Sequence, residues 1–128
     1  MKPELMWLVW SVVLAFVQVL IAVQGSMMQV GLPALAGNRE PPLEITGWAG
    51  RAKRAQHNMI ENLVPFAALV LVAVAAGKTN NMTLLGAQIF FWARVAYTGV
   101  YIAGIPWLRT GVWFVSVVGM ILIFAQLV

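Results

Sequence analysis

Residues 5–38 contain no charged side chain, and this run constrains the fold more than any other feature. Within it, residues 5–23 are apolar apart from Ser11 and Gln18. A helix needs about 20 mostly apolar residues to cross a bilayer, so the run is long enough to span a membrane. The alternative is a secretory signal peptide with Lys2 in its charged region, but the apolar run is too long and no small-residue cleavage site follows it.

Composition extends this interpretation to the whole chain. Of the 128 residues, 62% are hydrophobic and 9% are charged, and the mean hydropathy is +0.87, whereas about one-quarter of an ordinary soluble domain is charged. A chain this small could not bury so much apolar surface in water. It has no cysteine and one histidine, so we expect no thiol nucleophile and no metal site. Its 8 basic residues are too scattered for us to expect a nucleic-acid partner.

Segments rich in glycine, proline and polar residues separate the apolar runs and divide the chain into four predicted spans, at residues 5–36, 51–76, 82–105 and 111–128. Residues 37–50 form a polar loop, Thr79 or Asn81 caps the third helix, and residues 106–109 form a tight connection. The predicted fold class is an all-α integral membrane protein. It is a single domain over residues 1–128, built as an up-down bundle of four transmembrane helices.

The distribution of positive charge predicts the orientation of the bundle. The side that carries the first and third loops has five basic residues: Arg39, Arg51, Lys53, Arg54 and Arg109. The opposite side has Lys2 and Lys78. The positive-inside rule then places the loops at 37–50 and 106–110 in the cytoplasm and both termini outside, which is the periplasm if the membrane is a bacterial inner membrane.

The polar side chains of the second span fall on one helical face. At about 100° per residue, four of them form a single stripe: Arg51, Arg54, Asn58 and Glu61. His57 lies about 60° from Arg54, beside the stripe. Glu61 is about two turns inside the span, and a carboxylate in a membrane is costly enough to indicate function.

A second polar group lies on the third and fourth spans. Arg94, Tyr97 and Tyr101 share a face of the third helix at i, i+3 and i+7, and Arg109 begins the fourth helix, followed by Thr110. We expect these side chains to converge with the stripe of the second helix. In the alternative interpretation, the basic residues anchor the helices at the membrane surface, the tyrosines only pack, and Glu61 and Arg94 form a structural ion pair.

The chemistry of these residue types suits a small ligand with several charges. Arginine binds carboxylates through two parallel hydrogen bonds, asparagine both donates and accepts, and a buried glutamate favours an ammonium group. Glutathione, with two carboxylates, one ammonium and two amides, matches this set. Its thiol has a pKa of about 8.5, and a nearby arginine favours the thiolate. Arg109 is the candidate for that role, and Thr110 could add a hydroxyl hydrogen bond.

The segment from Arg51 to Asn62, with the pattern R-x-x-R-A-x-x-N-x-x-E, followed by Pro65-Phe66, resembles the second-helix signature of the MAPEG family (membrane-associated proteins in eicosanoid and glutathione metabolism). A second block, Arg94-Val95-Ala96-Tyr97 with Tyr101 and Arg109, resembles the third helix of that family and the connection after it. The similarity covers nearly the whole chain. Within the family the chain most resembles a bacterial member and is similar to the microsomal glutathione transferases and the leukotriene-forming synthases.

The resemblance implies a homotrimer in membrane lipid, with glutathione as cosubstrate bound between subunits near the cytoplasmic face. It assigns glutathione contacts to the residues of both motifs: Arg51, Arg54, His57, Asn58, Glu61, Arg94, Tyr97 and Tyr101. It assigns thiolate stabilisation to Arg109, with Thr110 at a serine position. The implied activity is a glutathione transferase, with possible peroxidase activity, acting on a hydrophobic electrophile from the bilayer.

The sequence departs from the family pattern at two positions. The synthases of the family carry an arginine late in the first helix, where this chain offers only Gln24 and Gln29. His57 stands where the prostaglandin-forming synthase has arginine. Two other function classes remain open. One is a non-catalytic membrane scaffold, which needs neither Arg109 nor Glu61. The other is a small exporter that uses Glu61 as its intramembrane carboxylate.

Overall fold

The computed structural model describes residues 1–31, 36–37 and 45–128. This part of the chain forms four helices: α1 (Pro3–Val30), α2 (Gly47–Ala75), α3 (Asn81–Ala103) and α4 (Pro106–Leu127). α1 packs on α2 and α3, and α4 packs on α3 and α2. No strand occurs within the described ranges. The predicted all-α four-helix membrane bundle is confirmed.

Three of the helices, α1, α2 and α4, are long and apolar enough to cross a membrane. The sequence predicts four such spans. α3 is 23 residues long, which is sufficient, but it lacks a window as apolar as those of the other three. Its polar residues, including Gln88, Arg94 and Thr98, lower its hydropathy, and the last two are buried inside the bundle. α3 therefore directs Arg94 and Thr98 inward.

The helix ends differ from the predicted boundaries, because glycine and proline determine them locally. α1 ends at Val30, short of the predicted residue 36, since Gly31 takes a positive φ of 82° that breaks the helix. α2 begins at Gly47, four residues before the predicted start at 51. The last four residues of the predicted loop at 37–50 are thus helical, and residues 38–44 of that loop, with Arg39, lie outside the described residues.

The connection between α3 and α4 is shorter than predicted. Gly104, also at a φ of 82°, ends α3, and α4 starts with Pro106 in its first turn. Proline suits that position because its missing N–H has no helical partner there. The predicted connection at 106–109 is therefore the first turn of α4. Arg109 therefore lies in the first turn of α4, in agreement with the prediction that it begins the fourth helix.

Asn80 caps α3, and the prediction that Thr79 or Asn81 would do so is wrong. The Asn80 side chain accepts hydrogen bonds from the backbone N–H groups of Met82 and Thr83, at 2.8 and 3.0 Å. The Thr83 hydroxyl in turn accepts from the Asn80 backbone N–H at 2.8 Å. Together these bonds form a complete capping box.

The helices meet in a core of apolar side chains and closely approaching glycines. The rings of Phe66 and Phe90 stack at 3.9 Å between centroids and join α2 to α3. α3 and α4 approach closely at Gly86 and Gly119, where a Cβ on either glycine would lie 2.5–2.6 Å from the backbone oxygen of the other. Small residues permit this close helix packing in membranes.

Polar side chains close the end of the bundle that carries both termini. Glu4 is only 3% exposed and accepts a hydrogen bond from the Thr83 hydroxyl at 2.7 Å. Lys2 donates to the Thr79 hydroxyl at 3.3 Å, and Lys78 donates to the backbone oxygen of Leu127 at 3.1 Å. Lys2 and Lys78 therefore lie at the same end of the bundle. The candidate site lies at the other end, where α2 and α4 begin and α3 ends.

Candidate functional site

A cavity of about 340 Å³ opens at the end of the bundle where α2 begins. Seven side chains from three helices line it: Arg54, His57, Asn58, Glu61, Tyr97, Tyr101 and Arg109. All seven are predicted site residues, and the structure brings them together within one chain. The expected convergence of the two polar groups is therefore observed. We call this space the main cavity.

The α2 wall of the main cavity follows the predicted stripe. Arg54, Asn58 and Glu61, spaced i, i+4 and i+7, project from successive turns of one helical face. The Asn58 side-chain oxygen accepts hydrogen bonds from Arg94 Nη2 at 2.8 Å and from Asn62 Nδ2 at 3.1 Å. With its oxygen engaged twice, Asn58 has its amide N–H groups to offer a ligand. Asn62 and Arg94 thus fix the orientation of a cavity side chain.

Arg94 lies behind the cavity wall rather than on it. It is 0% exposed, and its guanidinium lies 4.2 Å from the centre of the Tyr97 ring. Its Nε and Nη1 atoms have no hydrogen-bond partner among the described residues. Its hydrogen bond goes to Asn58 and not to Glu61, so the structural ion pair weighed from the sequence is not what holds Arg94. A buried arginine with two unpaired nitrogens leaves positive charge next to the cavity.

Arg109 forms the opposite wall with the two tyrosines. Its guanidinium lies 4.6 Å from the centre of the Tyr101 ring, a cation–π distance. Tyr101 meets Tyr97 edge to face at 5.5 Å between centroids. Arg109 sits in the first turn of α4, where backbone N–H groups also point outward. The Arg109 guanidinium therefore packs on the face of the Tyr101 ring at the N-terminus of α4.

A smaller cavity of about 130 Å³ adjoins the main cavity. Three of its lining residues, Asn58, Tyr97 and Arg109, are shared with the main cavity, and Thr110 and Trp113 are its own. Thr110 donates its hydroxyl hydrogen to the Pro106 backbone oxygen at 3.2 Å. Sequence reasoning missed Trp113, although its i+4 spacing from Arg109 already placed both on one face of α4. We call this space the Trp113 cavity.

Arg51 is predicted to bind the ligand, but the structure gives it a different set of contacts. It lines neither cavity, and its Nε donates a hydrogen bond to the Ile102 backbone oxygen at 2.8 Å. Ile102 is in the last turn of α3, where carbonyl groups lack helical partners. Arg51 also passes close to Gly104, since a Cβ added at that glycine would lie 3.4 Å from Arg51 Nε. Arg51 thus ties the start of α2 to the turn that precedes α4.

Gln24 and Gln29, the two glutamines late in the first helix, also have no place in the site. Gln29 makes a pair of hydrogen bonds with the backbone of Thr46, donating to its oxygen at 2.6 Å and accepting from its N–H at 3.0 Å. This pair anchors the residue that precedes α2. Gln24 is exposed and lines neither cavity. The described residues include no cluster of three or more His, Cys, Asp or Glu side chains that could hold a metal ion.

The fold and this site define an integral membrane helical bundle with a cation-rich cavity at one end. Comparison with protein-family models matches residues 5–128 to the MAPEG family. Because the match covers nearly the whole chain, the protein belongs to that family, and the resemblance drawn from the two motifs is confirmed. No curated protein and no solved structure matches the chain. Family membership makes it a membrane protein of the class involved in eicosanoid and glutathione metabolism, a class that includes enzymes and proteins that are not transferases.

Proposed function

We propose that the protein is an integral membrane glutathione transferase that acts on hydrophobic electrophiles, with peroxidase activity as a variant of the same chemistry. The observation that carries the proposal is the main cavity itself. Two arginines, one glutamate and one oriented asparagine face a single space of about 340 Å³, which is within the range of small-molecule sites. If these residues only anchored the helices at the membrane surface, their side chains would not need to face one common cavity.

The charges around the main cavity complement those of glutathione. The tripeptide carries two carboxylates and one ammonium, and loss of the thiol proton adds a third negative charge. Arg54 and Arg109 line the cavity as cations, and Arg94 adds a third cation behind the wall. Glu61 supplies the one anion and suits the ammonium group. The residues present therefore fit the ligand in the number and sign of their charges.

In this proposal Arg54, Asn58 and Glu61 bind and orient the tripeptide, and Arg109 stabilises the thiolate. Each unit of depression of the thiol pKa requires about 1.4 kcal/mol of preferential thiolate stabilisation. A guanidinium held against an aromatic ring and partly removed from water can supply one or two such units. The thiolate is the nucleophile, and holding it next to an electrophile contributes to the rate through proximity.

The proposal extends to assembly and topology. We infer a homotrimer in a bacterial inner membrane, with the main cavity at the cytoplasmic face and both termini in the periplasm. The charge distribution supports the orientation, since Arg51, Arg54 and Arg109 lie at one end of the bundle and Lys2 and Lys78 at the other. The electrophile, dissolved in the bilayer, would reach the cavity sideways between helices.

A glutathione titration of the detergent-purified protein tests the proposal. Thermal stability and the ultraviolet absorbance of the thiolate are followed together. We expect saturable stabilisation with thiolate formation, both lost in Arg54→Ala, and retention of binding without thiolate in Arg109→Ala. Lys53→Ala is the matched control, since Lys53 neighbours Arg54 and lines neither cavity. No response of the parent protein at millimolar glutathione would refute the transferase and favour a membrane scaffold.

A further inference from the structure

The Trp113 cavity lies next to Arg109, on the side of that residue away from most of the main cavity. It shares the walls formed by Asn58, Tyr97 and Arg109 with the main cavity, and it extends along α4 to Thr110 and Trp113. A thiolate stabilised by Arg109 would therefore lie at the boundary between the two spaces. The Trp113 cavity is on the far side of that boundary from Arg54, His57 and Glu61, which line only the main cavity.

We propose that the Trp113 cavity receives the reacting end of the electrophile and that Trp113 limits it to a single planar ring or a conjugated group of that width. This inference rests on the proposed function, because it assumes that glutathione occupies the main cavity. It makes Trp113 a specificity-determining residue. The remainder of a larger substrate would extend from the cavity into lipid.

The volume of the cavity matches that of a single ring. At about 130 Å³ it is slightly smaller than the apolar cavity of about 150 Å³ that holds one benzene molecule in a well-studied engineered protein. A two-ring group exceeds this volume, and Trp113 is one of the five side chains that it would meet. The half-buried indole and the buried phenol of Tyr97 both line this space. Aromatic faces and edges attract a planar π-system in offset or edge-to-face arrangements.

The polar groups at the shared wall suit the charge that develops in such a reaction. With a chloroarene, the thiolate sulfur forms a bond to the ring carbon and the carbon–chlorine bond breaks. Chloride leaves with the bonding electron pair, so no oxidant or reductant is needed. During the attack, negative charge moves onto the electron-withdrawing substituents of the ring. The Arg109 guanidinium and the Thr110 hydroxyl, now in a long 3.2 Å bond to Pro106, are donors within the same cavity.

Substitution of Trp113 tests the inference with a one-ring and a two-ring substrate, chlorodinitrobenzene and chlorodinitronaphthalene. In Trp113→Ala we expect kcat/KM for the one-ring substrate to fall about tenfold and the ratio of two-ring to one-ring kcat/KM to rise about tenfold, as is typical when pocket contacts are lost or gained. Trp113→Phe keeps an aromatic wall and should shift the ratio less. Phe114→Ala is the matched control, because Phe114 is 58% exposed and lines neither cavity.

A binding measurement complements the kinetics. Dinitrobenzene has no leaving group, and its dissociation constant in the presence of glutathione should rise about tenfold in Trp113→Ala and stay unchanged in Phe114→Ala. The glutathione dissociation constant and the thiolate absorbance should not change in any of these variants. If Trp113→Ala fails to fold, Trp113→Phe and the parent protein still give the comparison, since a parent that prefers the two-ring substrate contradicts the size limit.

Different results refute the inference and the proposed function. A parent protein that binds glutathione and turns over the one-ring substrate, but whose substrate ratio is the same in Trp113→Ala, supports the transferase and overturns the role of Trp113. A loss of glutathione affinity in Trp113→Ala also overturns it, because Trp113 would then serve the tripeptide. A parent protein that binds no glutathione overturns both.

Discussion

The glycine contact between α3 and α4 makes a quantitative prediction for Gly119→Ala. The new Cβ would lie 2.6 Å from the Gly86 oxygen and 2.9 Å from the Phe90 nitrogen, and both are backbone atoms that cannot rotate away. Carbon–oxygen contacts between packed backbones are normally about 3.3 Å or longer, so α3 and α4 must separate by roughly 0.7 Å. Overpacking of this kind costs about 1–3 kcal/mol, and the better helix propensity of alanine offsets up to about 1 kcal/mol.

We therefore expect Gly119→Ala to lose about 1–2 kcal/mol of unfolding free energy and to lower the thermal midpoint by about 4–8 °C. Thermal denaturation in a fixed detergent measures this shift. Gly99→Ala and Gly111→Ala are the controls, because a Cβ at either position would meet no atom within 4 Å. They should be neutral or stabilised by up to about 1 kcal/mol. Equal destabilisation of all three variants would refute the reasoning from close approach.

Three further substitutions test the contacts that hold the ends of the helices. Arg51→Ala removes the hydrogen bond to Ile102 and should cost about 1.5–3 kcal/mol; weaker glutathione binding with an unchanged melting temperature would contradict a clamping role and favour direct binding. Asn80→Ala removes the cap of α3 and should cost about 1 kcal/mol in the same melts, and an unchanged midpoint would contradict the capping box. Glu4→Gln keeps an acceptor for Thr83 and should be more stable than Glu4→Ala by about 1 kcal/mol; equal midpoints would show that the hydrogen bond is not stabilising.

The sequence predicts the number and order of the helices well, because long apolar runs leave the backbone no other way to satisfy its hydrogen bonds in lipid. It also predicts the α2 face of the cavity, since the 3.6-residue period fixes which side chains share a side. The helix boundaries were harder to predict. They depend on local backbone choices, such as the positive φ of Gly31 and Gly104, that apolar composition does not reveal.

The roles of the arginines could not be read from spacing alone. Arg51 and Arg54 lie on one stripe, yet Arg54 lines the main cavity and Arg51 reaches the end of α3. Arg94 shares a face with Tyr97 but lies behind it. A long side chain can turn toward either of the helices that flank its own. The packing of those helices decides which direction it takes, and the spacing in the sequence does not show it. Trp113 was missed although its i+4 spacing from Arg109 places both on one face of α4, because an aromatic residue in an apolar helix is usually a packing residue.

The unpaired nitrogens of Arg94 have a consequence for the lifetime of the protein in the cell. Among the described residues, the guanidinium of the fully buried Arg94 has one hydrogen bond, to the neutral amide of Asn58, and such a cation is destabilising. If the adjoining cavity binds an anion, as proposed, the anion would offset this cost and add stability by mass action, about 2.7 kcal/mol at a concentration 100 times its Kd. Proteases act on the open or unfolded fraction of a protein. The supply of the anion would then set how much of this protein a cell keeps, and depletion of the anion would remove the protein together with its activity.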